Sequence, residues 1–226
     1  MPRAHEQLNP NQEQIDQLKS RWDSLFENIA DQNLKDKLFV EIVNRYTGPD
    51  RFYHNLEHIN HFLQELEKHR DKLNNPQALQ LAAIFHDAVY VPFNQDKIQS
   101  NEQQSADLAK DYLEKLDVPT DIIQETISLI LATKYHQAIK DNPDSAIFMD
   151  IDMLILGAQP EAYDRYVQAV RQEYSFAPDD VFNLHRKKLL KTLLQKRIYL
   201  NQEMYDQYEE QARQNIEREL KTLEQI

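Results

Sequence analysis

The stretch "DSAIFMDIDMLILG", residues 144–157, decides the fold. Phe148, Met149, Ile155 and Leu156 stand three and four positions from Asp152, and Ala146, Ile147, Met153 and Leu154 stand likewise around Asp150. Residues at these spacings share a helix face. The segment therefore has no polar face, and it reads as an apolar helix, closed by Gly157, that is buried all round. At least one of its two carboxylates needs compensation, since burying an unpaired charge costs several kcal/mol. Burial alone does not separate Asp150 from Asp152.

Helical patterns continue outward in both directions. Residues 11–30 put Ile15, Leu18, Trp22, Leu25, Phe26 and Ile29 on one 3.6-residue face, and 33–46 repeat the pattern up to "TGPD". A helix is expected from near Asn55 to about His69. Another opens with Pro76 in its first turn and stops before Pro92. Ser100 and Gln103 form a capping pattern for the next, and Asp121 starts one that runs to about Lys134. Pro160 opens "EAYDRYVQAVRQEY", Pro178 precedes "DDVFNLHRKKLLKTLLQK", and 201–225 is long, charged and expected to face solvent along much of its length. Only two glycines occur, Gly48 and Gly157, too few for a β-rich or phosphate-loop α/β fold of this size. With no repeat and no Gly- or Ser-rich linker, the expectation is an all-α, single-domain helical bundle over residues 1–226.

Composition narrows the partners. A net charge of −12 argues against a nucleic-acid polymer, which is bound by clustered Lys and Arg. A small phosphorylated substrate stays open, because a metal can supply local positive charge. The chain has no cysteine, so any metal site must be built from nitrogen and oxygen. No apolar run reaches the length of a membrane span, and "MPRAHEQLNPNQEQ" lacks a signal peptide's hydrophobic region, so a cytoplasmic location is expected. Oligomeric state is open.

Three histidines fall within "RFYHNLEHINHF", residues 51–62. His54 and His58 are one helical turn apart, and Asn55 is a plausible N-cap between them. Alone, the pair reads better as an amphipathic helix with Leu56, Ile59, Phe62 and Leu63 facing inward than as a metal or acid–base site. "LAAIFHDAVY", residues 81–90, adds His86 and Asp87 after a continuous apolar run. Imidazoles with carboxylates suit Mn, Fe, Co, Ni or Zn, with Mg also compatible, in one or two divalent ions. Arg51 could hold phosphate oxygens bidentately. His61 reads as a helix-face residue, and His5, His69 and His185 as surface residues.

In order, these pieces resemble the H…HD…D pattern of the HD-domain metal-dependent phosphohydrolases. "RFYHNLEH", "FHDAVY", "NEQQSA", "ATKYH", "DIDMLILG" and "VRQEY" follow the order of a bacterial branch of that superfamily, over about residues 36 to 215. The resemblance implies an HD-type bundle with its metal-site core at about 36–175 and C-terminal helices 179–225 packed on it. It implies His58, His86, Asp87 and Asp152 as metal ligands, Asp87 able to bridge two ions, and His136 as a candidate extra ligand. "YHNLEH" is also similar to the opening motif of cyclic-nucleotide phosphodiesterases, which would make His54 the proton donor to the leaving group. Those enzymes carry a further His where this chain has Tyr90, which argues against a cyclic nucleotide. Glu102, in the family's "NE" position, is a candidate base or water-orienting group. Lys134, Arg171 and Tyr174 are candidate substrate contacts.

The implied activity is hydrolysis of a small-molecule phosphate ester, a nucleotide or related phosphomonoester, by a metal-activated water. Two other classes fit the same residues: an HD-fold di-iron oxygenase, and a non-catalytic module that senses a nucleotide.

Overall fold

The computed structural model describes residues 12–92 and 99–225; His5 lies outside the described residues. Among them the chain forms ten α-helices, two 3₁₀ turns and no strand, the all-α architecture expected. No helix among them is long and apolar enough to cross a membrane.

The first two helices, α1 (Gln12–Leu25) and α2 (Gln32–Tyr46), bury Leu18, Trp22, Leu38, Phe39 and Ile42. α1 stops at Leu25, short of the expected Ala30, and Phe26 is buried just beyond it. Asp31 caps α2 by accepting from the Leu34 N–H at 2.9 Å, a contact worth about 1 kcal/mol. α3 (Leu56–Lys68) is strongly two-faced, with Ile59, Phe62, Leu63 and Leu66 inward.

Seven of ten side chains of α4 (Pro76–Phe85) are buried, which makes it the central helix. It packs against α3, α5 (Asn101–Lys115) and α6 (Thr120–Thr133). The expected capping pattern at Ser100 is present, its hydroxyl accepting from Gln103 N–H.

α4 ends at Phe85, several residues before Pro92. Its last carbonyls and those just beyond need donors: Tyr46 donates its hydroxyl to the Ile84 carbonyl at 2.9 Å, and Arg51 reaches the carbonyl oxygens of Asp87 at 2.8 Å and Ala88 at 3.4 Å. Ser105 on α5 then holds both the N–H and the carbonyl of Val89. His86 and Asp87 are thereby placed at the helix mouth.

The expected helix 144–157 is broken in two. α7 (Asp144–Asp152) stops at Asp152, and Leu154–Gly157 forms a 3₁₀ turn. Tyr199 donates its hydroxyl to the Met153 carbonyl at 3.1 Å, and Asn215 donates to the carbonyls of Leu156 and Ala158. Gly157 is required by proximity: a β-carbon there would stand 2.8 Å from Tyr208 Cβ and 3.0 Å from its carbonyl oxygen.

α8 (Pro160–Glu173), α9 (Asp179–Leu194) and α10 (Gln202–Glu224) complete the chain. α10 is less solvent-facing than its charge suggests, because Met204, Ala212, Ile216, Leu220 and Leu223 join the core. Its Glu219 meets Arg186 of α9 in a buried bidentate pair at 2.7 and 3.0 Å.

Candidate metal centre

Four helix ends converge on one point. His58 lies in the first turn of α3, fixed by the Asn55 side chain, which accepts from the N–H groups of Glu57 and His58. His86 is the residue after α4, Asp87 follows it, and Asp152 is the last residue of α7. His136 lies three residues past α6, with a left-handed backbone (φ 47°). α4, α6 and α7 all present their C-termini here, and each such end carries roughly half a negative charge. A cation is favoured there, and an aspartate at the end of α7 is opposed, before any side-chain contact is counted.

The side chains complete this. His58 Nε2 and His86 Nε2 are 3.1 Å apart. Asp87 lies 3.0 Å from His86 and 3.8 Å from His58, while Asp152 lies 3.5 Å from both and 3.1 Å from His136 Nε2. His86 Nδ1 lies 2.9 Å from the Ala83 carbonyl, which can only accept, so Nδ1 carries a proton and Nε2 faces the cluster. His58, His86 and Asp152 form a group able to hold a metal ion, with Asp87 beside it. Among the described residues no Lys or Arg pairs with either carboxylate.

The electrostatics ask for positive charge. Burial pushes the His86 pKa down, yet Asp87 and Asp152 outweigh it and hold His86 well above the usual imidazole value. Burial lowers His58, and the charge on His86 adds to that. Burial would raise Asp87 and Asp152, but the surrounding histidines hold both below the ordinary carboxylate range. A divalent cation fits this set: nitrogen and oxygen donors converge, His86 is oriented by a backbone carbonyl behind it, and among the described residues no Lys or Arg competes.

The other aspartate does different work. Asp150 accepts the N–H groups of Leu200 and Asn201, both at 2.6 Å, and so anchors the segment entering α10. Burial pushes its carboxyl up to about 6, partly offset by those two N–H donors.

Beside the cluster, His54 Nδ1 lies 2.7 Å from Glu173 Oε2. Glu173 Oε1 also accepts the backbone N–H groups of Tyr53 and His54. Burial would lower the His54 pKa, but Asp87 and Glu173 together hold it above its ordinary value. Tyr90 stacks on the His54 ring with centroids 4.1 Å apart, so the residue that departs from the phosphodiesterase pattern is packed against the candidate acid.

Glu173 escaped the sequence reading although it lies within "VRQEY". The available signal was a carboxylate in the last turn of a helix, where the dipole disfavours it. Two arginines are already engaged by the protein. Arg51 Nη1 binds the carbonyls of His54 and Asp87, and the guanidinium lies against the rings of Tyr46 and Tyr90. It braces two site-bearing segments and offers no free fork for a phosphate. Arg171 is bound to Asp179 and to the carbonyls of Tyr174 and Ala177, and it holds the α8–α9 connection. Its donors face backbone and carboxylate oxygens.

Lys134 is exposed at the end of α6, its ammonium 5.4 Å from the Tyr135 ring centroid. Glu102 is half-buried in the first turn of α5 and makes no hydrogen bond or ion pair with the cluster. His61 is exposed on α3, and His69 caps its end.

Neither the curated proteins nor the solved structures compared with the chain give a match. A family model, the HD domain, matches residues 51–170, a span that contains His58, His86, Asp87, His136 and Asp152. It covers more than half of the chain, which therefore belongs to the HD domain family.

Proposed function

We propose that the protein is a metal-dependent phosphohydrolase acting on a small phosphate monoester. The observation that carries this reading is the convergence of His58, His86, Asp87 and Asp152, with no Lys or Arg among the described residues paired to either carboxylate. In the proposal these four hold the ion, and His136 Nε2 at Asp152 supplies an additional donor. A bound divalent ion supplies Lewis acidity toward phosphoryl oxygens and toward water.

The chain's own residues supply the proton. Glu173 Oε2 accepts from His54 Nδ1–H, which fixes the orientation of the ring, and in the protonated ring Nε2–H is the donor to a leaving oxygen. Glu173 and Asp87 both favour the protonated ring near neutral pH, as a general acid requires. Arg51 keeps the His54 and Asp87 backbones at a fixed spacing. Glu102 and Lys134 are assigned no step.

The test is metal analysis of the purified protein, followed by phosphate release from a panel of monoesters. Asp87→Asn and His86→Ala variants are expected to lose metal and activity together; retention of both by either variant would sink the proposal. The third imidazole, His136, is the feature that suits an iron oxygenase instead, and oxygen uptake without phosphate release would mark that chemistry.

A further inference from the structure

A groove of about 500 Å³ starts at His58 and Tyr53 and runs along α3 between the Leu154–Gly157 turn and α8. Small-molecule sites span roughly 300–1,000 Å³. We propose that this groove seats an aromatic ring carried on the phosphate ester, so that the substrates are aromatic-bodied phosphate monoesters and not sugar or polyol phosphates. This rests on the phosphohydrolase reading above and names the substrate class of that same centre.

Position is the first argument. His58 lines the inner end of the groove, while its Nε2 points at His86. A ligand filling the groove therefore adjoins the cluster, with its reacting end toward Asp87 and Asp152, neither of which lines the groove.

The walls are the second argument. On α8, Ala162, Arg165, Tyr166 and Ala169 face the groove at positions i, i+3, i+4 and i+7, a single helical stripe. The two alanines are the smallest side chains of this stripe. Opposite them Tyr53 meets Tyr166 edge-on at 4.7 Å, and Phe52 on the rim is 44 % exposed, a large apolar ring left without cover. Aromatic faces and edges of this kind pack preferentially against another ring.

The polar groups are the third. Three are already engaged: the Tyr166 hydroxyl accepts from Arg186, Asn55 caps α3 and donates to the Phe52 carbonyl, and Glu65 receives Lys68, while Glu57 and His61 stand exposed on the α3 side. Against the apolar wall of Ala162, Ala169, Leu154 and Ile155 a sugar's ring of hydroxyls would lose water and find no partner. Arg165 has no ion pair or hydrogen bond to the described residues, and it stands at the edge as a donor for an acceptor atom on the ring.

Two substitutions test this without touching the cluster, Ala162→Trp and Ala169→Trp, each filling the groove from α8. Full-length protein loaded with manganese(II) is assayed on an aryl phosphate, a nucleoside 5′-monophosphate, a hexose phosphate and glycerol phosphate. Binding of phenylphosphonate and methylphosphonate, which are not hydrolysed, is measured by calorimetry. The wild type should favour at least one ring-bearing ester over both polyol esters by tenfold or more in kcat/KM. It should also bind phenylphosphonate at least tenfold more tightly than methylphosphonate.

Either tryptophan should remove both preferences while methylphosphonate binding and the melting temperature hold; two variants guard against one misfolding. Which ring-bearing ester leads distinguishes a nucleobase from a simple aryl group. Equal turnover of ring and polyol esters overturns the groove assignment and leaves the hydrolase reading standing. Ring-dependent binding with no phosphate release from any ester does the reverse.

Discussion

At the scale of single residues, two aspartates one residue apart separate cleanly by partner. Asp152 faces three histidines, and Asp150 faces two backbone N–H groups. Asp152→Asn should abolish metal binding. Asp150→Asn should keep its metal and lose roughly 1–3 kcal/mol of stability, read by metal analysis and denaturant unfolding. The His54–Glu173 pair predicts a pH signature. His54 is raised, so its contribution is complete below its ordinary 6.5 and disappears as pH climbs through the higher folded value. Glu173 is lowered, so its contribution is complete above its ordinary 4.5 and disappears as pH falls through the lower folded value. Both are in force between 4.5 and 6.5, where Glu173→Gln should destabilise most. The same variant should move the alkaline limb of kcat/KM to lower pH, and an unmoved limb would remove His54 as the acid. The histidines and aspartates were legible because imidazoles and buried acids are conspicuous in an apolar context. Choosing Asp152 from Asp150 was not, since both have apolar neighbours at every helical spacing and only tertiary donors tell them apart.

At the scale of helices, faces were legible and ends were not. Periodicity placed Leu18 and Trp22, and Ile59, Phe62 and Leu63, on inward stripes, and local caps at Asn55 and Ser100 marked two starts. The stops of α4 and α7 are set by Arg51, Tyr199 and Asn215, whose carbonyl acceptors lie 36 to 59 residues away in the chain. No local signal carries that information, which is why Arg51 read as a phosphate ligand and 144–157 as one helix. The junction of the Leu154–Gly157 turn with α10 makes a direct prediction. Gly157→Ala would drive a β-carbon against Tyr208 Cβ and its backbone oxygen, and overpacking of this kind costs roughly 1–3 kcal/mol. Unfolding should report that loss, and Asp152, at the end of the adjoining helix, should bind metal more weakly. An unchanged unfolding midpoint would mean that α10 is free to move away.

At the scale of the whole molecule, one apolar core links α1 to α10, and the centre sits where separate helix ends meet within it. The candidate ligands come from the start of α3 and the ends of α4, α6 and α7, with His86 and Asp87 both following α4, so no helix holds the site by itself. Helix ends are where local opening begins, at free energies far below global unfolding. An ion bound to His58, His86 and Asp152 would therefore close three fraying points at once, and its stabilisation should grow with free metal as RT ln(1 + [M]/Kd). Amide hydrogen exchange gives the readout: added metal should slow exchange at the ends of α4 and α7 and the start of α3, and leave the middle of α5 unchanged. Uniform slowing across all helices would contradict a site built from termini. Seen this way, the residue at φ 47° just past α6 is a latch: His136 can reach Asp152 only while that turn stays wound the uncommon way. Its exchange rate would then report whether the fourth helix end is fastened or loose.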